Sequence, residues 1–142
     1  MIEEQFVSFD TAKLLKEAGF DVPCRGLYRT NRTGDCVFRE YSVKNPKNDL
    51  CWDGNDRFQY EYLAPTQALA ARWLREMHNL HVYAIQANLP LTEPQTDKWE
   101  WGYVIDKVND PNSNVANCEM YFDSYEAAFE AGIVKCLELI KK

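Results

Sequence analysis

Trp99-Glu-Trp-Gly-Tyr-Val-Ile-Asp106 sets Trp99, Trp101, Tyr103 and Ile105 in strict alternation with Glu100, Gly102, Val104 and Asp106. A period of two marks a strand, because successive side chains point to opposite faces of a sheet. The first set is aromatic or aliphatic and the second mostly small or polar. The strand, read as 99–108, therefore belongs to a sheet with one buried face and one largely wet face. Further on, Tyr125, Ala128, Phe129, Gly132, Ile133, Cys136, Leu137 and Ile140 keep the three-and-four spacing of a core-facing helix over 124–141. Asp123 and Glu126 are spaced as a capping box, and Lys141 and Lys142 lie at the negative end of the helix dipole.

Upstream, Ser8 is placed to cap a helix over 9–18, and Asp10 puts a negative charge in its first turn. Gly19 ends that helix, and Phe20 can fold back onto the last turn. A second helix starts near Pro65, suited to the first helical position, and runs to about His78, with Leu69, Trp73 and Met77 at four-residue steps and Ala70 and Leu74 one position over forming one broad apolar stripe. Strands over 25–30 and 36–41 flank Asn31-Arg-Thr-Gly-Asp35, a loop with the chemistry of a β-hairpin. Further strands are expected over 57–63, 81–87 and 117–122. The order is α-β-β-(β)-α-β-β-(β)-α, an α+β domain. Its sheet, mostly antiparallel and of four to six strands, is covered mainly on one face by three helices.

With 142 residues, the chain has the length of a single globular domain spanning 1–142. A domain of this size buries roughly 68–70% of its unfolded surface and needs no metal or disulfide to be stable. The formal charge of −6 argues against a whole-surface nucleic-acid binder. No apolar run approaches the roughly 18 residues of a membrane helix. Glu3, Glu4 and Gln5 stand where a signal peptide would be basic and then apolar. Cys24, Cys36, Cys51, Cys118 and Cys136 are odd in number and widely spaced, the pattern of free thiols in a reducing cytoplasm.

The distribution of charge is less even than its total. Between residues 25 and 47, Arg25, Arg29, Arg32, Arg39, Lys44 and Lys47 oppose only Asp35 and Glu40, a net of +4. The rest of the chain then carries −10 of the total of −6. Tyr28, Phe38 and Tyr41 interleave with these bases. Arg25, Arg29, Arg32, Arg39 and Tyr41 are thus candidate binding residues on a basic hairpin that could track a phosphate backbone and stack on bases. The same pattern also arises where an edge strand carries positive side chains against aggregation and its aromatics pack inward. A third reading docks the basic hairpin on the acidic remainder of a second copy.

Other constellations carry less. His78-x-x-His81 straddles the end of a helix and lacks a third ligand at a recognisable spacing. Asp49, Asp53, Asn55 and Asp56 surround Gly54 but do not follow the ligand spacing of a calcium loop. No phosphate-binding glycine loop, nucleophile elbow or Walker pattern occurs. No catalytic residue, metal or cofactor is therefore assigned. Trp99, Trp101 and Tyr103 read as core, and as a protein-binding or dimer surface if the helices leave that face partly uncovered.

Three stretches resemble a known group: Phe6-Val-Ser-Phe-Asp-Thr-Ala-Lys-Leu-Leu-Lys-Glu-Ala-Gly-Phe20, Ala64-Pro-Thr-Gln-Ala-Leu-Ala-Ala-Arg-Trp-Leu-Arg-Glu76 with Met-His-Asn-Leu-His-Val82, and Tyr125-Glu-Ala-Ala-Phe-Glu-Ala-Gly-Ile133. Together they resemble small uncharacterised proteins of gut-bacterial genomes, their phages and mobile elements. The resemblance implies a bacterial or phage cytoplasmic setting and carries no activity. The leading expectation is a non-enzymatic accessory protein that works by protein–protein contact or self-association, with no membrane partner. Nucleic-acid contact through the 25–47 hairpin is the alternative, and an enzyme without recognisable motifs a second one.

Overall fold

Among the described residues, nine elements follow the expected order: α1 (Phe9–Glu17), β1 (Gly26–Thr30), β2 (Cys36–Glu40), β3 (Tyr60–Ala64), α2 (Gln67–His78), β4 (Leu80–Asn88), β5 (Trp99–Lys107), β6 (Ala116–Asn117) and α3 (Tyr125–Lys141). They belong to a computed structural model that describes residues 4–30, 35–40, 60–88, 99–118 and 121–141. The class is α+β and every strand pairing is antiparallel. The six strands are shared between two three-stranded sheets, ordered β2-β1-β3 and β4-β5-β6. The chain divides accordingly into two units, residues 1–69 and 70–142.

In the first unit, Ser8 caps α1 as its position implies, its Oγ accepting from the Thr11 amide at 3.3 Å. At the other end Gly19 takes φ +93°, the left-handed conformation. The Phe20 amide then donates to Leu15 O and the Gly19 amide to Lys16 O, which closes a Schellman cap and buries Phe20. In the sheet, Tyr28 pairs with Phe38 on one side and Tyr62 on the other, so all three share a face. Phe9 of α1 packs on that face, 5.6 Å from Tyr28 and 5.4 Å from Tyr62. Phe6 reaches it too, 5.2 Å from Phe38. Val7, Ala12, Leu15, Leu27 and Ala64 are buried.

In the second unit, β4 and β5 pair over nine residues, from Leu80↔Lys107 to Asn88↔Trp99. Asn79, at φ 60°, turns the chain from α2 into β4. Helix α3 lies on the face that carries Val82, Tyr103 and Ile105. The approach is so close that a Cβ on Gly132 would come within 2.6 Å of Val82 Cγ2 and 3.0 Å of Tyr103 Cβ. Ala128, Ile133, Cys136 and Leu137 complete the buried stripe.

Three local expectations are corrected. Helix α2 begins at Gln67, two residues after Pro65, because the Thr66 hydroxyl accepts from the Leu69 amide and acts as its cap. Gln67, Ala70, Ala71, Trp73 and Leu74 are buried, so the expected stripe holds at Ala70, Trp73 and Leu74 but fails at Met77, which is 67% exposed. Ser124, not Asp123, caps α3, its Oγ accepting from the Ala127 amide at 3.1 Å. No helix of the described residues is long and apolar enough to cross a membrane.

Candidate functional site

The basic hairpin forms as expected, β1 and β2 pairing from Gly26↔Glu40 to Thr30↔Cys36. Arg32, Tyr41, Lys44 and Lys47 lie outside the described residues. The strand pleat separates what the sequence interleaves: Tyr28 and Phe38 face α1, whereas Arg29 and Arg39 point to the opposite side of the sheet. Arg29, largely buried, reaches the Glu61 carboxylate at 3.5 Å across the β1–β3 pair. Arg25 meets the Glu4 carboxylate and, at 3.8 Å, that of Glu40. Glu4 and Glu61 come from outside the 25–47 stretch, so partners distant in sequence answer much of the local excess of bases. Arg39 is exposed and has no ion pair among the described residues.

The two histidines diverge. His78 packs edge-on against Trp73 at 4.7 Å, while His81 stacks on Tyr83 at 5.0 Å. The acidic loop 49–56 and Cys51 lie outside the described residues. Cys24, Cys36, Cys118 and Cys136 are free thiols. Burial pushes the Cys136 thiol up to about 12, as befits a small buried hydrophobe.

The sheet of the second unit ends in two different ways. At one end, the aromatic series of β5 runs out from under α3. Tyr103 is buried, Trp101 half-buried, and Trp99 54% exposed. Trp101 meets the ring of Tyr125 edge-on at 5.5 Å, and Tyr125 meets Phe129 in the same way. Tyr125 itself is 41% exposed, because it stands in the first turn of α3 at the margin of the sheet. The strand Trp99–Lys107 therefore grades from core into surface.

At the other end, the β4 and β5 face opposite α3 carries His81, Tyr83 and Asp106. His81 and Asp106 are direct cross-strand partners. The Tyr83 hydroxyl donates to Asp106 Oδ2 at 2.8 Å, and the Asn114 amide donates to Asp106 Oδ1 at 2.7 Å. The bond to Asp106, with burial and the adjacent negative charge, holds Tyr83 above its ordinary range, so it stays a neutral donor. Asp106 is buried although its alternating position predicts a wet side chain. The loop after β5 folds over it, fixed by the Lys107 amide on Ser113 Oγ and by Asn109, Asn112 and Asn114 in positive-φ conformations. Gly102, on the same face, is covered by Cys118 and Tyr121. A cavity of about 390 Å³ opens here, lined by Arg75, His81, Tyr83, Asp106, Lys107 and Asn109, with Val108 and Pro111.

The sequence reading weighed His78 and His81 as a metal pair and set them aside, and it did not bring together Arg75, His81, Tyr83 and Asp106. The available signal was Asp106 itself, a carboxylate in a strand followed by an Asn-rich turn that could fold back on it. Comparison with family models, with curated proteins and with solved structures finds no match to this chain.

Proposed function

We propose that the chain is a cytoplasmic accessory protein of a bacterial phage or mobile element that acts by protein–protein contact, through the aromatic end of its second sheet. The exposure of Trp99 carries this reading. A tryptophan half in solvent, on the same strand face as Trp101, whose ring meets the exposed Tyr125, offers the residue types that dominate binding energy at interfaces. Asp123 and Glu126 flank the patch in sequence, so the partner surface offers aliphatic and basic side chains, which indole faces attract by cation–π contact. The free thiols support a reducing compartment. Self-association driven by the basic hairpin has less support, because Arg25 and Arg29 already face carboxylates of their own chain.

Affinity recovery from bacterial lysate, with and without nuclease, tests the reading. A specific protein should be retained after nuclease treatment and lost on Trp99→Ala/Tyr125→Ala, at a cost of about 2 kcal/mol in affinity. Arg29→Ala/Arg39→Ala should leave recovery unchanged. Recovery that vanishes with nuclease and with the arginine pair would move the assignment to nucleic acid. Recovery indifferent to Trp99 and Tyr125 would overturn the surface.

A further inference from the structure

Strand β4 ends the sheet of the second unit on an edge unlike the others. Among the described residues it pairs with β5 alone, and the remaining edge strands are β2, β3 and β6. An unpaired edge is a row of free N–H and C=O groups, which proteins guard with charges, proline, bulges or brevity. β2 carries Arg39 and Glu40, β3 carries Glu61, and β6 is two residues long. By contrast β4, Leu80-His-Val-Tyr-Ala-Ile-Gln-Ala-Asn88, has no Asp, Glu, Lys, Arg or proline. Its register with β5 runs through nine residues without a bulge. The longest of these edges is thus the unguarded one.

Hydrogen-bond parity shows which groups face outward. Antiparallel strands alternate between pairs that exchange main-chain bonds and pairs that do not. The Val108 amide donates to Asn79 O at 3.1 Å, one step beyond Leu80↔Lys107. On the other side of β5, Tyr103 O accepts from the Cys118 amide, and Trp101 exchanges bonds with Phe122. Even positions of β5 therefore bond to His81, Tyr83, Ile85 and Ala87. The main-chain groups of Leu80, Val82, Ala84, Gln86 and Asn88 point to the edge. Val82 is buried, Ala84 half-buried and Gln86 exposed, so the edge opens at Ala84 and runs toward Asn88.

We infer that this edge pairs with its counterpart on a second copy of the chain, antiparallel and about a twofold axis at Gln86, joining two three-stranded sheets into one of six strands. Centring the open stretch on Gln86 sets Ala84 opposite Asn88 of the second copy and Gln86 opposite its own equivalent. In such an isologous contact a charge at the axis would face its like. Sixteen Lys+Arg and 22 Asp+Glu are spread over the chain, yet none falls in these nine positions. A strand of a different protein would be selected by complementary charge, and this edge offers none to read. Ile85, 36% exposed on the face away from α3, gains a cross-strand neighbour at position 87 of the second copy. The pairing requires neither Trp99 nor Tyr125, so it stands or falls apart from the aromatic contact proposed above.

Sedimentation equilibrium of the full chain, with amide hydrogen exchange across a concentration series, tests the edge. A reversible dimer is expected. The Ala84, Gln86 and Asn88 amides should gain protection as concentration rises, while those of Tyr83 and Ile85, bonded to β5, stay protected throughout. Gln86→Lys and Gln86→Glu should each weaken self-association at least about tenfold, and an equal mixture of the two should restore it, since only at a twofold axis does position 86 meet itself. Gln86 is exposed and its main-chain groups point away from β5, so both variants should keep the wild-type melting temperature. A monomer at every concentration up to about 1 mM, self-association that neither variant weakens, a mixture no stronger than either variant alone, or protection of Gln86 that appears only with bacterial lysate would each overturn the proposal.

Discussion

The two three-stranded sheets spend the same residue types in opposite ways. In the first, Phe6, Phe9, Tyr28, Phe38 and Tyr62 form a continuous ring cluster, and Arg25 and Arg29 face Glu4, Glu40 and Glu61. In the second, the rings trail off into an exposed Trp99, and the exposed Arg75 and Lys107 meet no carboxylate among the described residues. The stretch richest in bases along the sequence is therefore the one whose described cations are mostly neutralised, and two cations that attract no notice in the sequence have no ion pair among the described residues. Charge density along a chain does not locate free charge in space, because partners arrive from distant segments. The difference between the sheets can be attacked experimentally, beginning with their interiors.

The largest effects should come from Leu15→Ala in the first unit and Ile133→Ala in the second, both fully buried. Each should cost about 2–5 kcal/mol through lost transfer energy and the cavity left behind. The length of the chain leads us to expect a single cooperative transition that both variants lower alike in thermal unfolding. Two transitions, each moved by one variant alone, would make the units independent and break the single-domain expectation.

Gly132→Ala comes next. Alanine is worth about 1 kcal/mol more than glycine in a helix interior, so propensity alone forecasts a gain. The new Cβ would instead press on Val82 Cγ2 and Tyr103 Cβ, atoms near the backbone of β4 and β5 that have little room to yield. A net loss of about 1–3 kcal/mol is expected in chemical denaturation. A stabilised variant would show that α3 rides more loosely on its sheet than the packing implies.

These positions also show what could be read in advance. Ser8, Gly19 and Phe20 speak through local chemistry, since a cap and a left-handed residue involve neighbours in sequence, and the end of α1 follows from them. The alternation of β5 and the rhythm of α3 are equally local and gave both elements. Long-range pairing is where the reading stops. Nothing near Arg29 announces Glu61, and nothing in Trp99-Glu-Trp says that α3 begins too late to cover Trp99. Asp106 looks wet by periodicity and is buried because a later turn returns over it. The division of six strands into two sheets is likewise a matter of which edges meet, which alternation within a strand does not encode.

Tyr83→Phe probes the polar end at smaller scale. It leaves Asp106 Oδ2 without its donor while the Asn114 amide still holds Oδ1, so a loss of about 1–1.5 kcal/mol is expected at neutral pH. The pH dependence gives the sharper reading. Tyr83 is raised above its ordinary value of 10.0, chiefly by the bond to Asp106. Its stabilising contribution is therefore complete below that value and is lost as pH rises through the higher folded value. Wild type should fall in stability more steeply than Tyr83→Phe in strongly alkaline buffer. Parallel curves would mean that the hydroxyl–carboxylate bond is not maintained in solution.

The smallest effects belong to the arginines of the first sheet, and they bear most directly on the comparison. Arg25 and its partners are about half exposed, so Arg25→Ala should cost under about 1 kcal/mol. Arg29 is more enclosed and should cost somewhat more, because its removal leaves Glu61 facing a poorly solvated site. If these pairs neutralise the hairpin, single-stranded oligonucleotides should bind weakly, and Arg29→Ala/Arg39→Ala should change that binding less than about threefold. Counterion release sets the contrary signature: each phosphate neutralised by a free cation steepens the fall of affinity with salt. A steep salt slope that the double variant flattens would mean that Arg29 exchanges Glu61 for phosphate. The first sheet would then hold its cations in reserve, and its contrast with the second would become one of availability rather than of pairing.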